Sequence, residues 1–420
     1  MNFDSPFSRS EKPSAVPPCK SACATKRTKD DTLSVAVQKR IKALTGRDEA
    51  ATGREPGDDG PVMMSADDSP CQRQANQLGS TLRRFNRYRE ALPFAEAAND
   101  MAVIKKKRKP EKPLAAAQPK PDACLERLST NADELCAQLN LPSGAITQAD
   151  LRDDDTGFLG TLYRDNGSGK LILVGNDTDP SSIIDWRTNL ENADGVETKQ
   201  YKAARQLAKK LKLNHVEYDI AGYSKSGGMG QLMGLTNDKA RVFVFNSAGL
   251  PDNGNYGSAA DLAGLTARTQ SFSADGDFLT YMNETTDPAK LLENAEFLKK
   301  ELLGEGSGYN PMKVTYRDPA HPDAKHDPEF AESRQELAAL MDKQIEELRK
   351  TGKAPPPVRA WHKETVKDSD SGFADAFGAK KDHPNFGKQF QHQMGQVLGP
   401  MKENVDKDRK ALDNFLNKCG

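Results

Sequence analysis

The spacing of apolar residues changes along the chain, and those changes mark out its elements. From Lys199 to Leu213, Tyr201, Ala204, Leu207, Ala208 and Leu211 recur at three and four, which places them on one face of an amphipathic helix. The period then shortens. Val216–Ile220 is short, half apolar and partly β-branched, and reads as a strand. Arg241–Asn246 carries an unbroken Val-Phe-Val-Phe run, as expected of a parallel strand covered on both faces. Upstream, Phe158–Tyr163 and Lys170–Val174 flank Asn166-Gly167-Ser168-Gly169, the pattern of a hairpin. Further strands are expected at Thr269–Ser273 and Met312–Tyr316. Helices are expected at 124–139, at Pro288–Leu303 and at 327–350, the last with Leu337, Leu340, Met341, Ile345 and Leu348 as its stripe. Strands alternating with helices argue for an α/β sheet.

Before Cys124 the periodicity is weak. Residues 1–72 are rich in Ser, Pro, Asp and Ala and read as disordered, apart from a short helix near Leu33–Leu44. A helix over 74–104 is suggested by Leu78, Leu82, Phe85 and Tyr88, then Leu92 and Ala95. Composition agrees with a partly unpacked chain: charged residues make up 29% and hydrophobic ones 36%, with a mean hydropathy of -0.75. No apolar run approaches the ~18–20 residues of a membrane helix, and Met1–Ser14 lacks the apolar segment of a signal peptide. Six cysteines (Cys19, Cys23, Cys71, Cys124, Cys136, Cys419) show no paired metal spacing and are expected to be reduced thiols without a structural role.

The net charge of -1 conceals an asymmetry, because residues 1–120 hold 23 Lys+Arg against 15 Asp+Glu and the remainder is acidic. A basic arm on an acidic body suits an anionic partner. Its densest part, Lys105-Lys106-Lys107-Arg108-Lys109, reads as a solvated linker, as a patch for anionic membrane, or as a nuclear-import signal.

Chemistry is concentrated in Gly222-Tyr223-Ser224-Lys225-Ser226-Gly227-Gly228. A strand, a sharp turn with serine at its tip and then a helix form a nucleophile elbow; small neighbours tolerate the strained backbone, and the helix start aims N–H groups at a developing oxyanion. In this chain order an acid and then a histidine must follow. Asp277 fits, with Asp275 as its rival. His215 precedes the elbow and is out of order, which leaves His321, His326, His362, His383 and His392.

Four blocks together resemble the class 3 lipases, α/β-hydrolases that include bacterial secreted, type III-like effectors. They are Asp155-Thr156-Gly157-Phe158 with Leu162-Tyr163-Arg164-Asp165; Thr178–Ser182 with Asp185-Trp186 and Asn189-Leu190; the elbow; and Phe245-Asn246-Ser247-Ala248-Gly249-Leu250. The resemblance covers about 160 residues, in order. It implies Ser224 as nucleophile, Asp277 as the acid, and His392 as the base, since His392-Gln393-Met394 looks like the start of the family's last helix. It further implies an oxyanion hole from the backbone N–H groups of Lys225 and Thr178, with the Thr178 hydroxyl as a third donor, and Asp185 and Trp186 as structural residues. Asn176-Asp177 departs from the family's Arg-Gly, and a carboxylate there opposes charge on the oxyanion. Tyr223 replaces the family's histidine, and Ser226 a glycine.

The resulting expectation is a basic, disordered arm over 1–122 for secretion and targeting, a lipase-like α/β-hydrolase core over 123–317, a helical insertion over 318–385 serving as lid, partner arm or plain support, and a C-terminal helical segment over 386–420. The function implied is hydrolysis of phospholipid or acylglycerol esters through an acyl-serine, with no cofactor, metal or nucleic acid required. A secreted protein delivered into host cytoplasm, and associated with membrane there, fits the polar leader. Two alternatives remain: a catalytically weak lipase fold that binds anionic phospholipid, and an effector that binds a host protein.

Overall fold

In the computed structural model, β3 (Phe158–Asp165) and β4 (Leu171–Gly175) form the expected antiparallel hairpin, with Gly160 opposite Gly175 and Arg164 opposite Leu171. The structure describes residues 22–46, 69–106, 124–178, 182–250, 256–275, 277–285, 287–303, 328–353, 363–366 and 395–420. β1 (Leu125–Arg127) and the short β2 (Arg152–Asp153) pair with β3. Beyond β4 the sheet runs parallel through β5 (Tyr218–Tyr223), β6 (Val242–Phe245), β7 (Thr269–Ala274) and β8 (Lys363–Val366). This is a mixed, mostly parallel sheet flanked by helices, an α/β-hydrolase type of architecture.

Strict alternation divides the strands between two cores. Tyr218, Ile220, Val242 and Val244 face α3 (Ala132–Gln138), α6 (Lys199–Leu213), α7 (Lys225–Thr236) and α8 (Ala259–Arg268). Ala221, Tyr223, Phe243, Phe245 and Phe272 face the other way, onto α1 (Ala22–Thr45), α2 (Pro70–Lys106) and α12 (Gly395–Cys419). Phe94 of α2 stacks on Phe243, with ring centroids 3.8 Å apart. Arg84 clamps Asp408 (2.9 and 2.5 Å) and Arg409 clamps Asp30 (2.7 and 2.9 Å), so α12 is tied to both N-terminal helices.

Four expectations are corrected here. The stretch 1–122 is not an arm throughout: α1 and α2, together with α12, form one layer of the domain, because their apolar residues meet a sheet face that needs covering. The cysteines are not all reduced. Cys23 bonds to Cys124 and Cys71 to Cys419, with Cα–Cα distances of 5.3 and 5.6 Å. Both bridges join helix ends to distant segments, so no local spacing announces them. The stretch 318–385 is not only a helical insertion, since it supplies β8 to the sheet edge. Its helix, α11 (Pro328–Thr351), packs on α5 (Ile183–Ala193) and α10 (Pro288–Leu303). The helix expected over 124–139 begins as β1 before turning into α3. The strand expected at Met312–Tyr316 lies outside the described residues.

Candidate active site

β5 ends at Tyr223, and α7 starts at Lys225, leaving Ser224 alone on the turn with φ 54° and ψ -124°. That backbone is unfavourable for a residue with a Cβ and persists only where its surroundings impose it. Here they do. Ser224 N–H donates to the Phe245 carbonyl (3.1 Å), and the Ser224 carbonyl accepts from Gly227 (3.0 Å) and Ala248 (2.9 Å). The Ser226 hydroxyl accepts the Tyr223 N–H and donates to the Tyr223 carbonyl, both at 2.8 Å. A Cβ at Gly222 would collide with the Ser226 carbonyl, so that glycine is required by close approach rather than by flexibility. Ser224 thus sits at the carboxyl end of a central parallel strand and at the positive end of α7, where chemistry in open α/β sheets gathers.

The next two strands bring a carboxylate to the same edge. Asn246, buried at the end of β6 with φ 43°, donates its N–H to Phe272 (2.9 Å) and accepts from Ala274 N–H through Oδ1 (2.9 Å). That locks the end of β7. Asp277 follows immediately, 2% exposed, with its carboxylate accepting the Thr280 N–H (2.7 Å) at the start of α9 (Phe278–Glu284). Asp275 is exposed. Of the two aspartates, only Asp277 has the burial an orienting acid needs.

Among the described residues the one histidine is His215, at the opposite end of β5 from Ser224. His392, His321, His326, His362 and His383 lie outside the described residues.

The expected oxyanion hole is altered on one side. Lys225 is the first residue of α7, so its N–H points out of the helix start beside Ser224. Thr178 N–H donates to the carboxylate of Asp177 (2.6 Å). The carboxylate that departs from the family pattern therefore occupies the N–H expected as the second donor. The Thr178 hydroxyl accepts from Asn189 Nδ2 (3.1 Å), which leaves its proton to be donated elsewhere. Asn176 is structural: it exchanges bonds with Leu159 (2.8 Å each) and donates to the Gly157 carbonyl (3.0 Å).

Sequence reasoning gave Lys225 a backbone role only. Its side chain is fully buried, with Nζ 2.5 Å from Asp185 Oδ1 and 2.7 Å from Gln200 Oε1. Gln200 Nε2 closes the triangle on Asp185 (2.6 Å). Tyr201, next along α6, donates its hydroxyl to the Lys225 carbonyl (3.4 Å), and burial pushes that phenol well above its ordinary pKa. The available signal was the Asp185-Trp186 block itself, a carboxylate in the first turn of α5. Among the described residues, no group of three or more His, Cys, Asp or Glu side chains could hold a metal ion.

Comparison with known proteins bears on this geometry. Residues 113–305, which contain the elbow, Asp277 and Thr178, match the family model of the phospholipase-like, Tle-like phospholipase domain. The chain is also 27% identical over 176 residues to the extracellular phospholipase A1 of Serratia liquefaciens. That match covers 40% of this chain and 54% of the relative, so the chain spans about half the length of the curated protein it matches.

Proposed function

We propose, because residues 113–305 match the model of the Tle-like phospholipase domain, that this protein is a serine hydrolase that cleaves carboxylic esters of membrane phospholipids through an acyl-serine. The observation carrying this reading is the strained Ser224 between β5 and α7, with a buried carboxylate two strands away on the same sheet edge. Ser224 attacks the ester carbonyl. The Lys225 N–H and Thr178 stabilise the oxyanion, Asp277 steadies an imidazole, and His392 supplies it, with His321, His326 and His383 as alternatives. The Lys105–Lys109 run would draw the enzyme to anionic lipid.

The relative's name supports secretion. Two disulfides fit an oxidising destination better than a reducing host cytoplasm. A role as a delivered effector, with a host protein as partner, is the further step of this reading.

The test is release of fatty acid from mixed phosphatidylethanolamine–phosphatidylglycerol vesicles. The parent should release it, and Ser224→Ala should fall by about 10³-fold or more. The second reading, a weak hydrolase that mainly binds anionic phospholipid, is favoured by the Asp177 carboxylate on the Thr178 N–H. It predicts vesicle binding by the parent without fatty-acid release.

A further inference from the structure

Lys225 and Thr178 hang from neighbouring strands, but each lies four residues past the last ladder pair joining β4 to β5, Val174 with Ala221. The ladder therefore does not set the distance between them. Side chains on α5 do reach both. Asp185 holds Lys225 Nζ (2.5 Å), and Asn189, one turn later on the same helix face, donates to Thr178 Oγ1 (3.1 Å). The helix start is itself pinned, because Ser182 Oγ accepts the Asp185 N–H (3.2 Å). Gln200 of α6 bonds both members of the ion pair and so fixes the angle at which α5 meets the elbow.

We infer that α5 is a bracket for the oxyanion hole: Asp185 and Asn189 are positioning residues that act through Lys225 and Thr178 to set the spacing of the two donor residues. The inference rests on the serine-hydrolase reading and adds to it a role for the α5 face. A lysine and a carboxylate that are both 0% exposed are a poor device for stability alone. An apolar pair of similar volume usually does as well or better, while removing one partner leaves a buried charge. What the ion pair supplies that an apolar pair does not is directional contact at one defined distance. In a site where a misplacement of about 1 Å costs ~10²-fold in rate, that distance matters.

The experiment uses the full chain and two variants. One is Asn189→Ala, at a half-buried position. The other is the double substitution Asp185→Leu with Lys225→Met, which removes both charges together. Four quantities are measured: kcat and KM on micellar short-chain phosphatidylcholine, the second-order rate of labelling by a fluorophosphonate, and Tm. The bracket predicts that kcat and the labelling rate fall about tenfold for Asn189→Ala and about 10²-fold for the double variant, with KM unchanged. Tm for Asn189→Ala should stay near that of the parent. A purely structural role would lower Tm and leave the kcat of the folded protein intact, which would overturn the inference. Should the double variant not fold, Asn189→Ala decides alone. A parent that neither turns over substrate nor labels removes the hydrolase reading itself, an outcome distinct from an active parent with indifferent variants.

Discussion

On one face of the sheet, α1, α2 and α12 bury Val37, Ile41, Phe85, Phe94, Met101 and Phe415 against the phenylalanines of β6 and β7. On the other face, α5, α6 and α7 bury a lysine, a carboxylate, two glutamines and a serine among their apolar neighbours. The first layer comes from Ala22–Thr45, Pro70–Lys106 and Gly395–Cys419, and the Cys71–Cys419 disulfide joins the last two. The second is contiguous in sequence and falls within the matched family domain. Apolar packing is tolerant of exchange, whereas a buried polar network specifies one arrangement. Both faces hold an apolar core, and the first has its own buried ion pairs at Asp30 and Asp408, but only on the second does a buried polar network reach the elbow, so the role of setting the site's geometry is confined to that side.

Substitutions should respect that division. The largest effect is expected on the polar side's reaction edge: Asp277→Asn should lower kcat by about 10³–10⁴-fold with little change in Tm, while Asp275→Asn should leave kcat near the parent value. Steady-state turnover of a soluble ester by both variants checks this. On the apolar side, Phe94→Ala removes the ring stacked on Phe243 and beneath Arg241, and should cost about 3–5 kcal/mol in denaturant unfolding. The folded fraction should keep the parent's kcat. Paired Cys71→Ser and Cys419→Ser should cost about 2–5 kcal/mol, again without changing turnover below the melting range. Should loss of that disulfide lower kcat in a protein still folded, the separation of roles would be broken.

The smallest effect concerns Asp177. Asp177→Gly removes the carboxylate that holds the Thr178 N–H, and turnover should rise by up to about tenfold as a second donor is freed. An unchanged kcat would show that this N–H is not used and that the Thr178 hydroxyl is the donor on that side.

The polar side was largely legible in the sequence, since its signals are local. The α6 stripe, the hairpin turn, the elbow glycines and the apolar run of β6 each lie within a dozen residues, and the structure has an element at each. The apolar side was read poorly. α1 buries only a thin line (Leu33, Val37 and Ile41) between charged residues, and that line is completed by α2 and, more than 300 residues away, by α12. The cystines depend on the same long-range meeting. The side chain of Lys225 went unassigned for another reason: nothing local announces its partners, and only the approach of Asp185 and Gln200 from two other helices makes its burial affordable. The proposed base, His392 or one of its alternatives, is carried by chain order and by the resemblance at His392-Gln393-Met394, and these histidines lie outside the described residues.

Mapping the adduct of a fluorophosphonate by mass spectrometry, on protein whose phospholipid turnover is followed in parallel, tests the central claim most directly. The account predicts a single phosphonylated serine at position 224, with turnover lost in proportion to its occupancy. Full turnover by protein in which Ser224 is completely modified, or by Ser224→Ala, would contradict it.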